Sequence, residues 1–258
     1  MPIRGLLFDK DGTLLDFYAT WTPANERAAL AAARGNSVLA ARLLARGGWD
    51  AGAKRLRSGS PLAAGTSDDI ALVFSELLPG VDQKWLAGVV AKEFVSAGLD
   101  AQIVPGTAGM LTKLQGRGLA LGIATNDSEG GIHRSFGKHP DILAHFKFLA
   151  GSDSGHGAKP GPGMLNAFCR AEGLLPHEVA VIGDSTHDLE MGRAGGAGMN
   201  IGVLTGTSTE AELAVLADQV LASIVELPGQ DWLAPAKSHK KRRGPDEVRA
   251  VIASKETG

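Results

Sequence analysis

The chain has 258 residues, 44% of them hydrophobic and 21% charged, with a formal net charge of −2. That is the balance of an ordinary soluble globular protein, long enough for one large domain or for one domain carrying an insertion. It excludes a strongly basic nucleic-acid binder, and no apolar stretch is long enough to span a bilayer. The single Cys169 rules out an internal disulfide and suits a reducing compartment. With a strand and no signal-peptide pattern at the N-terminus, the expectation is a cytoplasmic protein with no nucleic-acid and no membrane partner.

The first predicted element is the apolar run Ile3–Phe8, a buried strand that stops at Asp9-Lys10-Asp11-Gly12-Thr13. Residues i and i+2 of a strand point the same way, which predicts that Asp9 and Asp11 converge just beyond the strand end. Gly12 allows a sharp exit of the backbone there. Paired carboxylates repel, and a hard cation such as Mg²⁺ is the simplest neutraliser. Taken alone, the stretch has a second, less favoured reading as a strand end followed by an ordinary Asp-Gly turn.

From Phe17 to Thr22 the chain reads as a connection, with Thr22 as N-cap and Pro23 as first residue of a helix reaching about Arg46. Gly47-Gly48 stops it. Thr66-Ser67-Asp68-Asp69 marks the start of a helix over Ile70–Leu78, and Asp82 the start of another through about Ala97. No strand pattern appears between Trp21 and Leu99, so residues 18–102 are expected to form an all-helical inserted domain.

Beyond Ile103, strand and helix signals alternate. Strands are predicted at Leu119–Ala124, Phe146–Ala150, Val179–Gly183, Gly198–Val203 and near Val220. Helices are predicted over Ala108–Gln115 (capped by Thr107), Ile132–Leu143, Pro162–Glu172 and Asp188–Ala194. Apolar strands without a polar face argue a parallel sheet covered on both sides. The fold class is therefore α/β: a doubly wound, Rossmann-like parallel sheet over residues 1–17 and 103–235, interrupted by the helical insert. Residues 236–258, with the basic run Lys237–Arg243 and a short helix over Asp246–Ser254, are read as a solvated tail. Ligands of such sheets bind at the carboxyl ends of the strands.

Three further groups fall at those ends. Thr125 and Asn126 follow the second strand, where a hydroxyl and backbone N–H groups suit a phosphate oxygen. Lys159 lies in the loop Gly157-Ala158-Lys159-Pro160-Gly161-Pro162, as a compact positive charge. Asp184 and Asp188 follow the strand Val179–Gly183, at a spacing that brings both carboxylates to one edge. Taken together these residues resemble the haloacid dehalogenase-like (HAD) hydrolase superfamily. Asp9-x-Asp11-Gly12-Thr13 resembles its first motif, Thr125 its second, Lys159-Pro160-x-Pro162 its third and Gly183-Asp184-x-x-x-Asp188 its fourth. The insert looks like the helical cap of phosphoglycolate phosphatase-like members.

The resemblance implies a phosphoric monoester hydrolase. Asp9 would be the nucleophile forming an aspartyl-phosphate, and Asp11 the acid that protonates the leaving alcohol and then activates water. Mg²⁺ would be held by Asp9, by Asp11 through its backbone carbonyl, by Asp184 and by Asp188, with Thr125, Asn126 and Lys159 on the phosphoryl oxygens. The second Asp of the first motif favours phosphoryl transfer over dehalogenation. The expected partner is a small-molecule phosphate ester, 2-phosphoglycolate first, acted on by a monomer or homodimer. A sugar-phosphate phosphatase, a phosphomutase, a phosphonate hydrolase using Lys54, and a non-catalytic binding protein are the alternatives. Phe17, Tyr18 and Trp21 are read as hinge packing rather than a substrate wall. Lys54, Arg55 and Arg57 are read as a solvated helix face, and His133, His139, His145 and His156 as loop or surface residues.

Overall fold

A computed structural model of the protein describes residues 2–233; the predicted basic tail and its short helix lie outside them. The described residues fall into two compact units. One is made of residues up to Asp16 together with those from Ile103 onward, and the other of Phe17–Gln102.

The first unit is built on six parallel strands: β1 (Gly5–Phe8), β2 (Ala120–Ala124), β3 (Phe148–Ala150), β4 (Val179–Gly183), β5 (Met199–Val203) and β6 (Gln219–Leu221). Their order across the sheet is β3-β2-β1-β4-β5-β6, the doubly wound arrangement expected from the sequence. β1 is central, with Leu7 in register with Gly122 on one side and Val181 on the other. Every residue of β1, β2 and β4 is buried, which is why these strands carry no polar alternation. Helix Gly163–Glu172 lays Phe168 against this layer, beside Leu7, Ala124 and Val181.

The chain leaves this unit after Asp16 and returns at Ile103. Leu15 and Ile103 form an antiparallel bridge, and Val104 N donates to Leu14 O at 3.0 Å. Departure and return are therefore fixed side by side.

The second unit is helical, with differences from the sequence reading. Its first helix begins at Phe17 and runs to Ala32, so Pro23 lies inside it. Thr22 is not a cap, and its hydroxyl has no hydrogen-bond partner among the described residues. Burial of Phe17 in the unit's core, with Tyr18 and Trp21 packed against it, outweighs the local Thr-Pro signal. The expected single helix to Arg46 is also broken. Arg34 (φ 51°) and Gly35 (φ 85°) turn the chain, and Asn36 accepts from Leu39 N to start a new helix, Ser37–Gly47.

The unit is not wholly helical either, because Trp49–Asp50 and Arg55–Leu56 pair as a small antiparallel hairpin. The Asp50 carboxylate accepts from Gly52 N and Ala53 N, both at 2.9 Å, and this side-chain turn closes the hairpin. Two starts follow the sequence closely. Thr66 caps Ser67–Ser75 through a reciprocal capping box with Asp69, and Asp82 caps Gln83–Leu99.

In the first unit, Thr107 is the first residue of its helix rather than the cap, which is Gly106. The expected helix over 132–143 is split into Glu129–Ser135 and Pro140–Leu143, with Pro140 opening the second piece. Among the described residues, no helix is long and apolar enough to cross a membrane.

Candidate active site

β1 delivers Asp9 to the carboxyl edge of the sheet, where Asp9 N donates to Ile182 O of β4 at 2.8 Å. Immediately afterwards the backbone tightens. Leu14 N and Leu15 N both donate to Lys10 O, and Gly12 N donates to Leu15 O at 2.9 Å. Gly12 sits at φ 77°, and a Cβ there would come within 2.6 Å of the Asp184 carboxyl carbon. Only glycine combines that backbone with that approach.

β4 delivers Asp184, and helix Thr186–Gly195 delivers Asp188 from its first turn. Asp188 does two things at once. Its Oδ2 accepts from Ser185 N and Ser185 Oγ, closing the N-terminal capping box, while its Oδ1 accepts from Lys159 Nζ. The carboxylates of Asp9, Asp184 and Asp188 are buried, and their ligand-capable oxygens lie within 4.8 Å of one another.

Lys159 Nζ enters this group. It donates to Asp9 Oδ1 at 2.5 Å, to Asp188 Oδ1 and to Ala124 O at 3.0 Å. Burial opposes the charge on Lys159, but Asp188 and Asp9 outweigh it and hold the ammonium above its usual range. For the acids, burial dominates. It pushes the Asp9 carboxyl up to about 7 against the pull of Lys159, with Asp188 and Asp11 adding to the rise. Asp184 lies well above the usual carboxylate range, first through burial and then through repulsion from Asp9 and Asp188.

These residues fit a hard divalent cation. When ionised, three carboxylates against one ammonium leave a formal charge of −2 in a buried place. All the donors are oxygens, as Mg²⁺ requires.

Asp11 is near enough to Asp9 to raise its carboxyl, but is not among the three acids whose oxygens lie within 4.8 Å of one another. Its carboxylate pairs with Lys10 Nζ at 2.6 Å, and the strand rule that predicted convergence with Asp9 lapses because β1 ends at Phe8. Thr125 is buried beside the cluster's strand, with its hydroxyl accepting from Asp127 N at 3.2 Å. Asn126 uses its side chain to hold the lysine loop. Its Nδ2 donates to Lys159 O at 3.1 Å, and its Oδ1 accepts from Lys159 N at 2.8 Å. Of the expected site residues, Asp9, Asp184, Asp188 and Lys159 thus share one cluster, Thr125 and Asn126 border it, and the Asp11 side chain faces Lys10.

Three participants escaped the sequence reading. Lys10 is fully buried, with its ammonium between the carboxylates of Asp11 and Asp127. Ser185 braces Asp188. The loop Thr205-Gly206-Thr207 reaches the site from β5: Thr205 Oγ1 donates to Gly12 O at 2.5 Å, and Thr207 N donates to Asp184 Oδ2 at 3.1 Å. A Cβ on Gly206 would run into the Asp184 carboxylate. The available signal was Gly206 between two threonines, directly after a strand ending on the site edge.

Arg55, expected on a solvated helix face, lies instead on the hairpin strand Arg55–Leu56. Tyr18 and Trp21 pack on the core of the second unit, and Arg55 lies over the Tyr18 ring at 5.5 Å. His145 Nδ1 pairs with Gln115 Oε1, and His156 stacks on Phe148.

Known proteins resemble this chain. The model of the haloacid dehalogenase-like hydrolase family matches residues 3–196. Phosphoglycolate phosphatase of Escherichia coli (strain K12) is 29% identical over 209 residues, covering 75% of this chain and 79% of that one. The enzyme of the same name from Salmonella typhi is 28% identical with the same coverage. Among solved structures, a HAD family hydrolase from Deinococcus radiodurans, crystallised with bound phosphate and sodium, superposes with a TM-score of 0.67. It has 23% identity and covers 91% of this chain and 99% of that one. A haloacid dehalogenase-like family protein from Streptococcus pneumoniae gives a TM-score of 0.63 at 19% identity, covering 88% and 97%. At those identities the superpositions speak to the fold. The chain belongs to the haloacid dehalogenase-like hydrolases, and it is an enzyme of that hydrolase class.

Proposed function

We propose that the protein is a Mg²⁺-dependent phosphatase that hydrolyses a small phosphate ester through an aspartyl-phosphate on Asp9. The observation that carries this reading is the buried cluster of Asp9, Asp184 and Asp188 around the Lys159 ammonium, at the carboxyl edge of a parallel sheet. The relatives named phosphoglycolate phosphatase and the phosphate bound to the Deinococcus radiodurans hydrolase support the choice of a phosphate ester.

Mg²⁺ would be held by Asp9, Asp184 and Asp188, with Asp11 contributing its backbone carbonyl, and when bound it neutralises negative charge on the transferred group and on Asp9. The chain's own residues do the rest. An Asp9 carboxylate oxygen forms a bond to phosphorus in line with the leaving oxygen, whose bond to phosphorus breaks. Asp11 gives its proton to that oxygen, so an alcohol departs. Asp11, now ionised, takes a proton from water; the water oxygen bonds to phosphorus, and the Asp9–phosphorus bond breaks to release phosphate. Lys159 binds the phosphoryl oxygens as well as Asp9. Thr125 and the backbone following it line the same place, and Asn126 keeps Lys159 there through its two backbone bonds. The insert, residues 18–102, serves as the cap that selects the substrate.

The test is turnover of a panel of phosphorylated metabolites with Mg²⁺, with 2-phosphoglycolate ranked first. EDTA and Asp9→Asn should each lower turnover by at least about 10³-fold, as loss of a covalent nucleophile does. Undiminished turnover in Asp9→Asn would remove Asp9 from the role.

A further inference from the structure

Lys10 occupies the middle position of the first motif, and nothing in the chemistry proposed above uses it. Its side chain is completely excluded from solvent. The ammonium lies 2.6 Å from Asp11 Oδ2 and 3.2 Å from Asp127 Oδ2, and donates to Ser135 Oγ at 3.4 Å. Burial opposes its charge; Asp11 and then Asp127 outweigh that and hold it above the usual lysine range.

Each partner comes from a different piece of chain. Asp11 is in the loop after β1 and Asp127 in the loop after β2, while Ser135 ends helix Glu129–Ser135. Asp127 is itself fixed: its Oδ1 accepts from Ser128 N at 2.6 Å, and its backbone carbonyl accepts from Ser152 N at 2.8 Å. A Cβ on Gly131 would collide with the Asp127 carboxylate, so the helix is shaped around it.

A buried ion pair is weak evidence for stability, because apolar residues of similar volume commonly serve as well. What an ammonium in this place supplies that an apolar residue would not is a directed hold on a carboxylate. Asp11 needs such a hold, because after Phe8 it is no longer part of a strand and its side chain is a quarter exposed. A flexible acid delivers protons poorly, and a misplacement of the order of 1 Å is enough to cost about 10²-fold.

We infer that Lys10 is a positioning residue for proton transfer: by bridging Asp11 to the anchored Asp127 and Ser135, it fixes the Asp11 carboxylate where the leaving-group oxygen departs. The inference rests on the proposed role of Asp11 as acid and base. The role is one of positioning: Lys10 acts through Asp11.

The experiment compares kcat/KM for an alkyl phosphate with that for p-nitrophenyl phosphate, in the parent, Lys10→Met, Lys10→Gln and Asp11→Asn. The specificity constant reports events up to departure of the leaving group, so water attack on the common intermediate does not mask it. An alkoxide needs a proton to leave, whereas p-nitrophenolate departs without one. For Lys10→Met the alkyl-to-aryl ratio should fall at least about tenfold, part of the 10²–10⁴ that acid–base catalysis contributes. Lys10→Gln, which keeps a donor, should fall between Lys10→Met and the parent. Thermal unfolding identifies variants that are not folded; should Lys10→Met be one, the ratio for Lys10→Gln decides. Equal loss on both substrates, or no loss, in the folded Lys10 variants would overturn the inference. Asp11→Asn separates the two levels. A collapsed ratio there with an unchanged ratio in the Lys10 variants sinks the Lys10 inference alone. An unchanged ratio in Asp11→Asn sinks the acid role of Asp11 and the inference with it.

Discussion

Asp9 is buried among like charges, and its charged form is disfavoured until about pH 7. The sign of the consequence follows from proton linkage. An unfolded Asp ionises near pH 4, so between about pH 4 and pH 7 the folded chain holds a proton that the unfolded one has lost. The penalty for folding with Asp9 ionised is therefore complete above about pH 7 and fades as pH falls through that window. In EDTA, Asp9→Asn should melt at a higher temperature than the parent at pH 8, with the gap closing toward pH 5; a gap independent of pH would contradict this. Adding Mg²⁺ at pH 8 should raise the melting temperature of the parent much more than that of the variant. Cys169 offers a second check. Burial pushes its thiol up to about 12 against the pull of Arg170, with Glu178 adding to the rise. It should resist thiol reagents at pH 8 in the native protein and react fully in denaturant. At this scale the sequence was a good guide to Asp9, Asp184 and Asp188, because each lies at or just past a strand whose end was plain. At Asp11 the bonds to Lys10 O end the extended backbone, and with it the alternation of faces on which the expectation stood.

Among elements, the sheet was legible and the insert much less so. Strands such as Val179–Gly183 are buried on both faces, and that burial is written directly as an unbroken apolar run. The insert's helices depend on contacts far along the chain. Phe17 starts its helix because it reaches a core that also holds Leu86 and Val90, and a turn at Arg34-Gly35 has only one glycine to announce it. The hairpin at Trp49–Leu56 is set by the Asp50 side chain, over too few residues to show a period. The packing of helix Gly163–Glu172 on the sheet gives a paired prediction. A Cβ at Gly122 would sit 2.8 Å from the Phe168 ring and 3.2 Å from Leu7 Cδ1, whereas one at Gly109, within helix Thr107–Gly116, meets nothing within 4 Å. Gly122→Ala should therefore cost about 1–3 kcal/mol in urea unfolding. Gly109→Ala should add about 0.5–1 kcal/mol. Equal effects at the two positions would refute the close approach of Phe168 to the sheet.

For the whole molecule, each of the two units has its own buried cluster, and the departure and return of the chain are joined by the Leu15–Ile103 bridge. A variant in which a short Gly-Ser linker replaces residues 17–102 should therefore fold, with the acid cluster intact and a melting temperature raised by Mg²⁺. It should also lose discrimination among phosphate esters while still hydrolysing an aryl phosphate. An unfolded product would show that the first unit does not stand alone. The central claim, that a phosphoryl group passes through Asp9, is tested most directly by acid-quenching the full-length enzyme during turnover with Mg²⁺ and mapping the peptides by mass spectrometry. A phosphoryl group on Asp9, absent from Asp9→Asn and from EDTA-treated enzyme, is the predicted result. Steady turnover with no phosphoryl group on Asp9 at any quench time, or with the group on another residue, would contradict it.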